Sequence, residues 1–390
     1  MTPCPVCGSI ETWKLPVLGP PAMVSDGSAL NAPLAKVTCV GCGTACHCLP
    51  PGDATLRQLF DGHGLYAHAP GGRFEATRQR HYAEWIARAV PRPPRSFGDI
   101  GCGNGSLILA LQRIWPAIGA WGIEPSNAAA AQARAVGLDV RTGYPDTVGP
   151  IPAAELVIAV NVVEHTADPA AFLRSLAPCL APDGKLLVVC PDGAKIGTEL
   201  LVFDHLHSFS AHGLHRLLAA AGFCAIAAPK APESLGDFQM AVAVPGRSSS
   251  NGCRQAGPKA LHEARARFLS GWMSLQTHML TRLEPDQRLI CFGTGETANL
   301  LRTYAPRLWQ HVDLCVSDDF SDPTFAGLPA RPYRELAPDD ARPVLLAVRD
   351  EAQPRLAARL TNEGRQVLTW KVETDAASME SARESTEPSR

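Results

Sequence analysis

The chain has 390 residues, 46% of them hydrophobic and 19% charged, and its 36 basic and 38 acidic residues leave a formal charge of −2. Such a length exceeds one ordinary core and predicts two or three domains, while the composition excludes a disordered chain. The interspersed charges form no basic stripe for nucleic acid or a membrane surface. With no apolar run of about 18 residues and no signal-peptide layout, a cytoplasmic location is expected.

The segment up to about residue 70 is rich in Pro, Gly and Cys and poor in periodic structure, and six of the 13 cysteines fall within the first 48 residues. In a reducing compartment this reads as a metal site plus ordinary buried thiols. Cys4-Pro5-Val6-Cys7-Gly8 and Cys39-Val40-Gly41-Cys42-Gly43 form two CxxC knuckles, 31 residues apart. Each lets two thiolates meet one ion, with glycine allowing the tight turn behind it. A redox pair is the alternative; two knuckles together favour tetrahedral zinc held by Cys4, Cys7, Cys39 and Cys42, a closed structural site. Cys46, His47 and Cys48 are read as bystanders, since four thiolates complete the set.

A helix is predicted at 75–89, with Tyr82, Trp85, Ile86 and Ala89 on one face, ended by Pro91-Arg92-Pro93-Pro94. Short apolar strands then alternate with helices. Strands are predicted at 97–100, 120–123, 156–160 and 185–190, and helices at 106–114, 127–136 and 170–180. The alternation implies an α/β fold with a doubly wound parallel sheet. Ser210 caps a further helix, Gly222 closes it, and strands at 224–228 and 239–244 complete the sheet. A polar linker at 245–257 leads to a long helix at 259–283. A second βα series follows, with strands at 289–292, 312–316, 344–348 and 366–370 and helices at 296–304 and 353–363. The expected domains are 1–74 (zinc-binding), 75–246 (doubly wound) and 247–373 (a second, Rossmann-like domain), with a disordered tail at 374–390.

Asp99-Ile100-Gly101-Cys102-Gly103-Asn104-Gly105 joins a predicted strand to a predicted helix. Its glycines allow a sharp turn and close approach of the backbone to a ligand. The spacing is GxGxG, not the GxGxxG of the dinucleotide fingerprint. Glu124 ends the next strand, where a carboxylate can accept both hydroxyls of a ribose.

With these elements in order, residues 97 to about 223 resemble the class I S-adenosylmethionine (SAM)-dependent methyltransferases. The Asp99–Gly105 run is similar to that family's first motif and Gly122-Ile123-Glu124-Pro125 to its acidic second. Val160-Asn161-Val162-Val163-Glu164-His165 with Asp168-Pro169, the turn at Pro182-Asp183-Gly184, and Asp204-His205-Leu206-His207-Ser208-Phe209-Ser210 resemble its later segments. Glu155 stands where the family has Asp. The resemblance implies that Gly101, Gly103 and Gly105 flank the methionine part of SAM with Asp99 nearby. It also implies that Glu124 holds the ribose, that Asn161 lies by the methionine, and that Tyr144 and Asp146 approach the adenine. SAM carries an activated methyl, so the protein mainly aligns donor and acceptor and excludes water.

The three-part layout is similar to the zinc-containing C-methyltransferases of nucleotide-linked deoxysugars, which add a C-terminal βα domain that helps hold the nucleotide. Leu65-Tyr66-Ala67-His68 falls where that family has an aromatic segment, and Ser208 stands where it has a tyrosine. His205, His165 and His207 are the candidate bases, because imidazole titrates near working pH. The alternative for each is a histidine bonded to a backbone carbonyl that shapes the pocket, and Asp204 can orient a neighbouring ring. Cys291-Phe292-Gly293-Thr294-Gly295-Glu296 is a second strand–glycine–helix element, able to receive a phosphate or only to pack. Asp318 or Asp319 follows the next strand. The expected reaction is methyl transfer to a small-molecule acceptor, a nucleotide-linked sugar first, with O- or N-methylation of another small molecule as the alternative. A dinucleotide oxidoreductase fits the glycine spacing less well, and a zinc-ribbon scaffold leaves the Asp99–His165 motifs without a use. SAM and a structural Zn2+ are the expected cofactors, with no nucleic-acid or membrane partner.

Overall fold

In the computed structural model, residues 3–48, 52–62, 73–246, 257–319 and 322–372 are described. The aromatic segment at 65–68, most of the linker at 245–257 and the tail at 374–390 lie outside the described residues.

Seven strands form the central sheet, in the order Phe223–Ala227, Phe238–Pro245, Leu180–Pro191, Ala154–Val160, Ser96–Ile100, Gly119–Glu124 and Val140–Thr142. Five are parallel, and the two from 223 to 245 pair antiparallel at one edge. The inner strands are covered on both faces, which explains why they read as continuous apolar runs. Leu156, Val157, Ile158 and Ala159 are wholly buried, as are Leu186 to Cys190. Gly98 keeps the middle of the sheet clear for Trp121, whose indole lies 2.1 Å from where a Cβ would stand. Ser126, Asp168 and Ser210 each cap a following helix by accepting a backbone N–H. The helix predicted at 170–180 is shorter, Pro169–Ser175, because Pro178 diverts the chain into the turn Ala177–Cys179.

The N-terminal strands Thr12–Lys14, Lys36–Cys39 and Ala45–His47 make a small antiparallel sheet, extended by His207–Ser208 of the central region. The helix Asp53–Gly62 was not predicted, and it leads toward the helix Arg73–Ala89. The long helix Pro258–Leu280 precedes a second sheet, ordered Thr324–Phe325, Leu328–Pro332, Val312–Ser317, Leu289–Phe292, Val344–Leu346 and Val367–Leu368. It is parallel apart from the Thr324–Phe325 edge. Leu328–Pro332, also not predicted, carries only one large apolar side chain and two prolines.

The middle and C-terminal regions each have an apolar core of their own, and a further core is shared among all three regions. Leu15, Leu18, Met23 and Leu34 share one apolar cluster with Leu200–Phe203 of the middle region and with Phe268, Trp272 and Trp370. Tyr304 ties them further: its hydroxyl donates to the Leu201 carbonyl at 2.6 Å and accepts from the Met23 amide at 3.1 Å. Arg265, with no exposed surface, donates to the carbonyls of Gly43 and Gly193 at 2.6 and 2.7 Å. Among the described residues no helix is long and apolar enough to cross a membrane.

Candidate active site and metal centre

Each cysteine knuckle is built by its own turn. The Gly8 amide donates to the Cys4 carbonyl and the Gly43 amide to that of Cys39, and both glycines take positive φ. The Sγ atoms of Cys4, Cys7, Cys39 and Cys42 all lie within 4.8 Å of one another. Cys4 and Cys42 are 3.7 Å apart and Cys7 and Cys39 are 3.4 Å apart. A tetrahedral zinc with Zn–S near 2.3 Å requires edges of about 3.8 Å, so the set fits that ion. Cys48 instead turns its thiol to the Ala35 carbonyl, and His47 packs edge-on against Phe203.

The glycine loop leaves the central strand Ser96–Ile100 at the carboxyl end of the sheet, where doubly wound folds bind ligands. Gly101 has φ 72°, and a Cβ there would stand 2.6 Å from Val162 Cγ2. Gly105 has φ 80°, and its Cβ would meet Leu138 Cδ1 at 2.2 Å. Glu124 locks the loop: its two oxygens accept from the Gly103 and Ser126 amides, both at 2.8 Å. These bonds fix the carboxylate and leave lone pairs facing the cavity. Burial raises its pKa above the usual carboxylate value, although the two amides oppose the shift.

Asp99 is 2% exposed, and its Oδ2 has no hydrogen-bond partner among the described residues. Burial, with the Glu124 charge adding to it, pushes its pKa well up. Asn161 takes φ 56° and lines the cavity. Its Nδ2 donates to the Tyr82 hydroxyl at 3.3 Å and its Oδ1 has no partner among the described residues. Two unmet acceptors beside a glycine backbone and a fixed carboxylate suit a ligand bearing an ammonium group and a ribose. These residues therefore fit SAM. Tyr144 and Asp146 lie farther out; Arg57 sits 4.3 Å over the Tyr144 ring and 3.7 Å from Asp146, on a largely exposed rim. Glu155 anchors Arg95, accepting from its amide and its Nε.

A cavity of 1040 Å³ runs from this loop to the C-terminal region. On its wall the turn Val163–His165, the helix Asp53–Gly62 and the segment 199–205 bring Glu164, His165 and His205 together. Glu164 is 1% exposed and neither carboxylate oxygen has a partner among the described residues. Burial raises its pKa, against the pull of the two histidines. His165 Nδ1 lies 2.9 Å from the Asp204 carbonyl and 3.4 Å from its carboxylate. Burial lowers the pKa of that ring, yet the bond and charge of Asp204 win and hold it above its ordinary value. For Asp204, burial works upward, but His165, His205 and Ser25 keep the carboxyl well below its usual range. His205 stands edge-on to His165 with ring centroids 4.7 Å apart, and its Nδ1 faces Glu199 at 3.9 Å. Glu199 also accepts from Ser208 at 2.5 Å. Phe60 covers His165 edge-on at 5.7 Å.

The structure thus gathers Asp99, Gly101, Glu124, Tyr144, Asp146, Asn161, His165 and His205 along one cavity. Gly103 and Gly105 shape the loop behind it. His207 lies elsewhere: its Nε2 is 3.0 Å from the Thr166 carbonyl, and burial drives its pKa down to about 4. Glu199 and Ser25 carried no sequence signal, since neither belongs to a motif. The C-terminal region closes the far end with Phe268, Trp272, Trp370 and Lys371, together with Glu296 and Thr297 of the second glycine element. Asp318 is held there by both terminal nitrogens of Arg359, at 2.8 and 3.2 Å, and does not line the cavity.

Residues 74–228 match the family model described as a methyltransferase domain. The chain carries a methyltransferase domain. Trans-aconitate 2-methyltransferase of Acidovorax ebreus is 35% identical over 127 residues, spanning 31% of this chain and 47% of that protein. A ubiquinone biosynthesis O-methyltransferase of Methylobacterium is 37% identical over 110 residues, 27% of this chain and 44% of that one. The chain spans about half the length of the curated relatives it matches. Among solved structures, the mitomycin 7-O-methyltransferase MmcR is 20% identical with a TM-score of 0.38, covering 44% of this chain and 54% of its own. The matched stretch takes in the glycine loop, the His165–His205 wall and every strand of the central sheet but Phe238–Pro245.

Proposed function

We propose that the chain transfers the methyl group of SAM to a small-molecule acceptor held between the methyltransferase domain and the C-terminal βα region. One observation carries this reading: a single cavity joins the Asp99–Glu124 loop to the Glu164, His165 and His205 wall and continues to Trp272 and Trp370. One end suits the donor and the middle suits the acceptor. The in-line displacement needs alignment and exclusion of water more than covalent help. Asp99 and Asn161 supply acceptors for the methionine ammonium, and Glu124 receives the ribose hydroxyls. Phe60, Trp272 and Trp370 give the acceptor site apolar walls. The zinc of the Cys4, Cys7, Cys39 and Cys42 set is structural in this reading, because four thiolates leave it no open position.

A nucleotide-linked sugar is the acceptor we favour, with carbon as the methylated atom. Lys195, Arg349 and Lys371 offer cations along the outer cavity for a diphosphate, and the tryptophans offer faces for a base or sugar. Methylation of an acceptor oxygen is the second reading, supported by the likeness to a ubiquinone biosynthesis O-methyltransferase. Calorimetric titration with SAM, then with nucleotide sugars in the presence of S-adenosylhomocysteine, separates them. SAM binding followed by a nucleotide-sugar signal is expected. SAM binding without that signal would turn the reading to another acceptor, and no SAM binding would end it.

A further inference from the structure

The sequence offers His165 and His205 as bases, each on its own. Their convergence with Glu164 gives them a different role. One oxygen of Glu164 and one ring nitrogen from each histidine lie within 4.8 Å of one another at the cavity wall. We propose that Glu164, His165 and His205 bind a divalent first-row transition-metal ion, distinct from the zinc of the cysteine knuckles.

Three independent features support the site. First, both Glu164 oxygens are buried and unpartnered among the described residues, an arrangement that is costly unless a cation or donor completes it. Second, the His165 ring is held on its Nδ1 side by Asp204, 2.9 Å from its carbonyl and 3.4 Å from its carboxylate, and the Glu199 carboxylate stands 3.9 Å from His205 Nδ1, beyond hydrogen-bond reach. Metal-bound histidines are oriented in this way by a carboxylate or carbonyl on the other nitrogen. Ser25 and Ser208 in turn hold those carboxylates. Third, the donor set is two imidazoles and one carboxylate, which leaves coordination positions open toward the cavity and suits zinc, iron, manganese or cobalt more than magnesium or calcium. An oxygen of the acceptor is the natural further ligand. When bound, such an ion would polarise an acceptor carbonyl or hydroxyl and lower the pKa of the proton that must leave to solvent, whether carbon or oxygen is methylated. As ligands, the histidines are no longer free proton acceptors.

The site deepens the methyltransferase reading, and its test uses neither SAM nor acceptor, so either can fail alone. The full-length protein, with its cysteine zinc retained and loosely held metal dialysed away, is titrated with Co2+ alone. One equivalent is expected to bind with weak visible bands and no thiolate charge-transfer absorption. Glu164→Gln and His205→Ala should weaken it at least about tenfold, and Asp204→Asn by about 10- to 100-fold. Circular dichroism and a thermal melt of the same variants report whether the domain is folded. Absence of a non-thiolate Co2+ equivalent in the wild-type protein would overturn the proposal, as would unchanged Co2+ affinity in a folded Glu164→Gln or His205→Ala protein.

Discussion

The cysteine cluster and the Glu164, His165 and His205 wall are both convergent sets of metal-type ligands, yet the chain assembles them in opposite ways. Each cysteine pair sits in its own four-residue turn, so only the meeting of two knuckles needs tertiary structure. At the wall, Glu164 and His165 follow one sheet strand and His205 follows the next, and neither segment repeats a recognisable spacing. Local ligand pairs announce themselves in sequence. Ligands gathered across strand ends do so only once the sheet is formed. The supports differ as well: backbone turns and glycines hold the thiols, whereas the buried Asp204 holds the His165 ring.

The largest effect is expected from breaking the locally encoded set. Cys39→Ser should lose the zinc and much of the stability of the N-terminal sheet, because metal binding there is coupled to folding and amounts to about 10–16 kcal/mol in zinc-finger peptides. Elemental analysis and a thermal melt check this; a full zinc count in the variant would remove these cysteines from the site. Next comes the donor end of the cavity. Glu124→Ala should weaken SAM binding by roughly 100-fold, about 3 kcal/mol, through lost charge-assisted hydrogen bonds. Calorimetry showing unchanged affinity would dismiss Glu124 as the ribose ligand.

Arg265→Met probes the link between the two sets. It leaves the buried carbonyls of Gly43, beside the knuckle, and Gly193, before the cavity segment, without their donor. A loss of about 1–3 kcal/mol in urea unfolding is expected with the zinc count intact. Stability equal to wild type would mean that the two regions are held together by packing alone. The smallest effect belongs to Asp146→Ala. Its exposed pairing with Arg57 at 3.7 Å is worth about 1 kcal/mol or less, so SAM affinity should fall by no more than about fivefold. A loss as large as that of Glu124→Ala would make Asp146 a principal adenine ligand.

Much of the fold was legible because its signals are local. Strands buried on both faces must be apolar throughout, caps must stand before helices, and a tight loop over a ligand must be glycine. Pro178 shortened a predicted helix, an effect the residue itself announces. The helix Asp53–Gly62 was harder to read, since its apolar face is only Leu56, Leu59 and Phe60 and is completed by Leu206 from far along the chain.

By itself the sequence determined the knuckles, the parallel sheet, the Asp99–Gly105 loop and Glu124, since each is a turn, a strand end or a run of buried side chains. Tertiary structure alone decided which histidines face the cavity. His205 and His207 are two residues apart on one segment, yet one stands against His165 and the other reaches the Thr166 carbonyl. An extended chain sends neighbouring positions into surroundings set by whatever packs there, and the packing partners of 205 and 207 come from distant strands. The same reason placed Asp204 and Glu199 behind the two rings, and brought Trp272 and Trp370 to the far wall of a cavity that begins at the glycine loop.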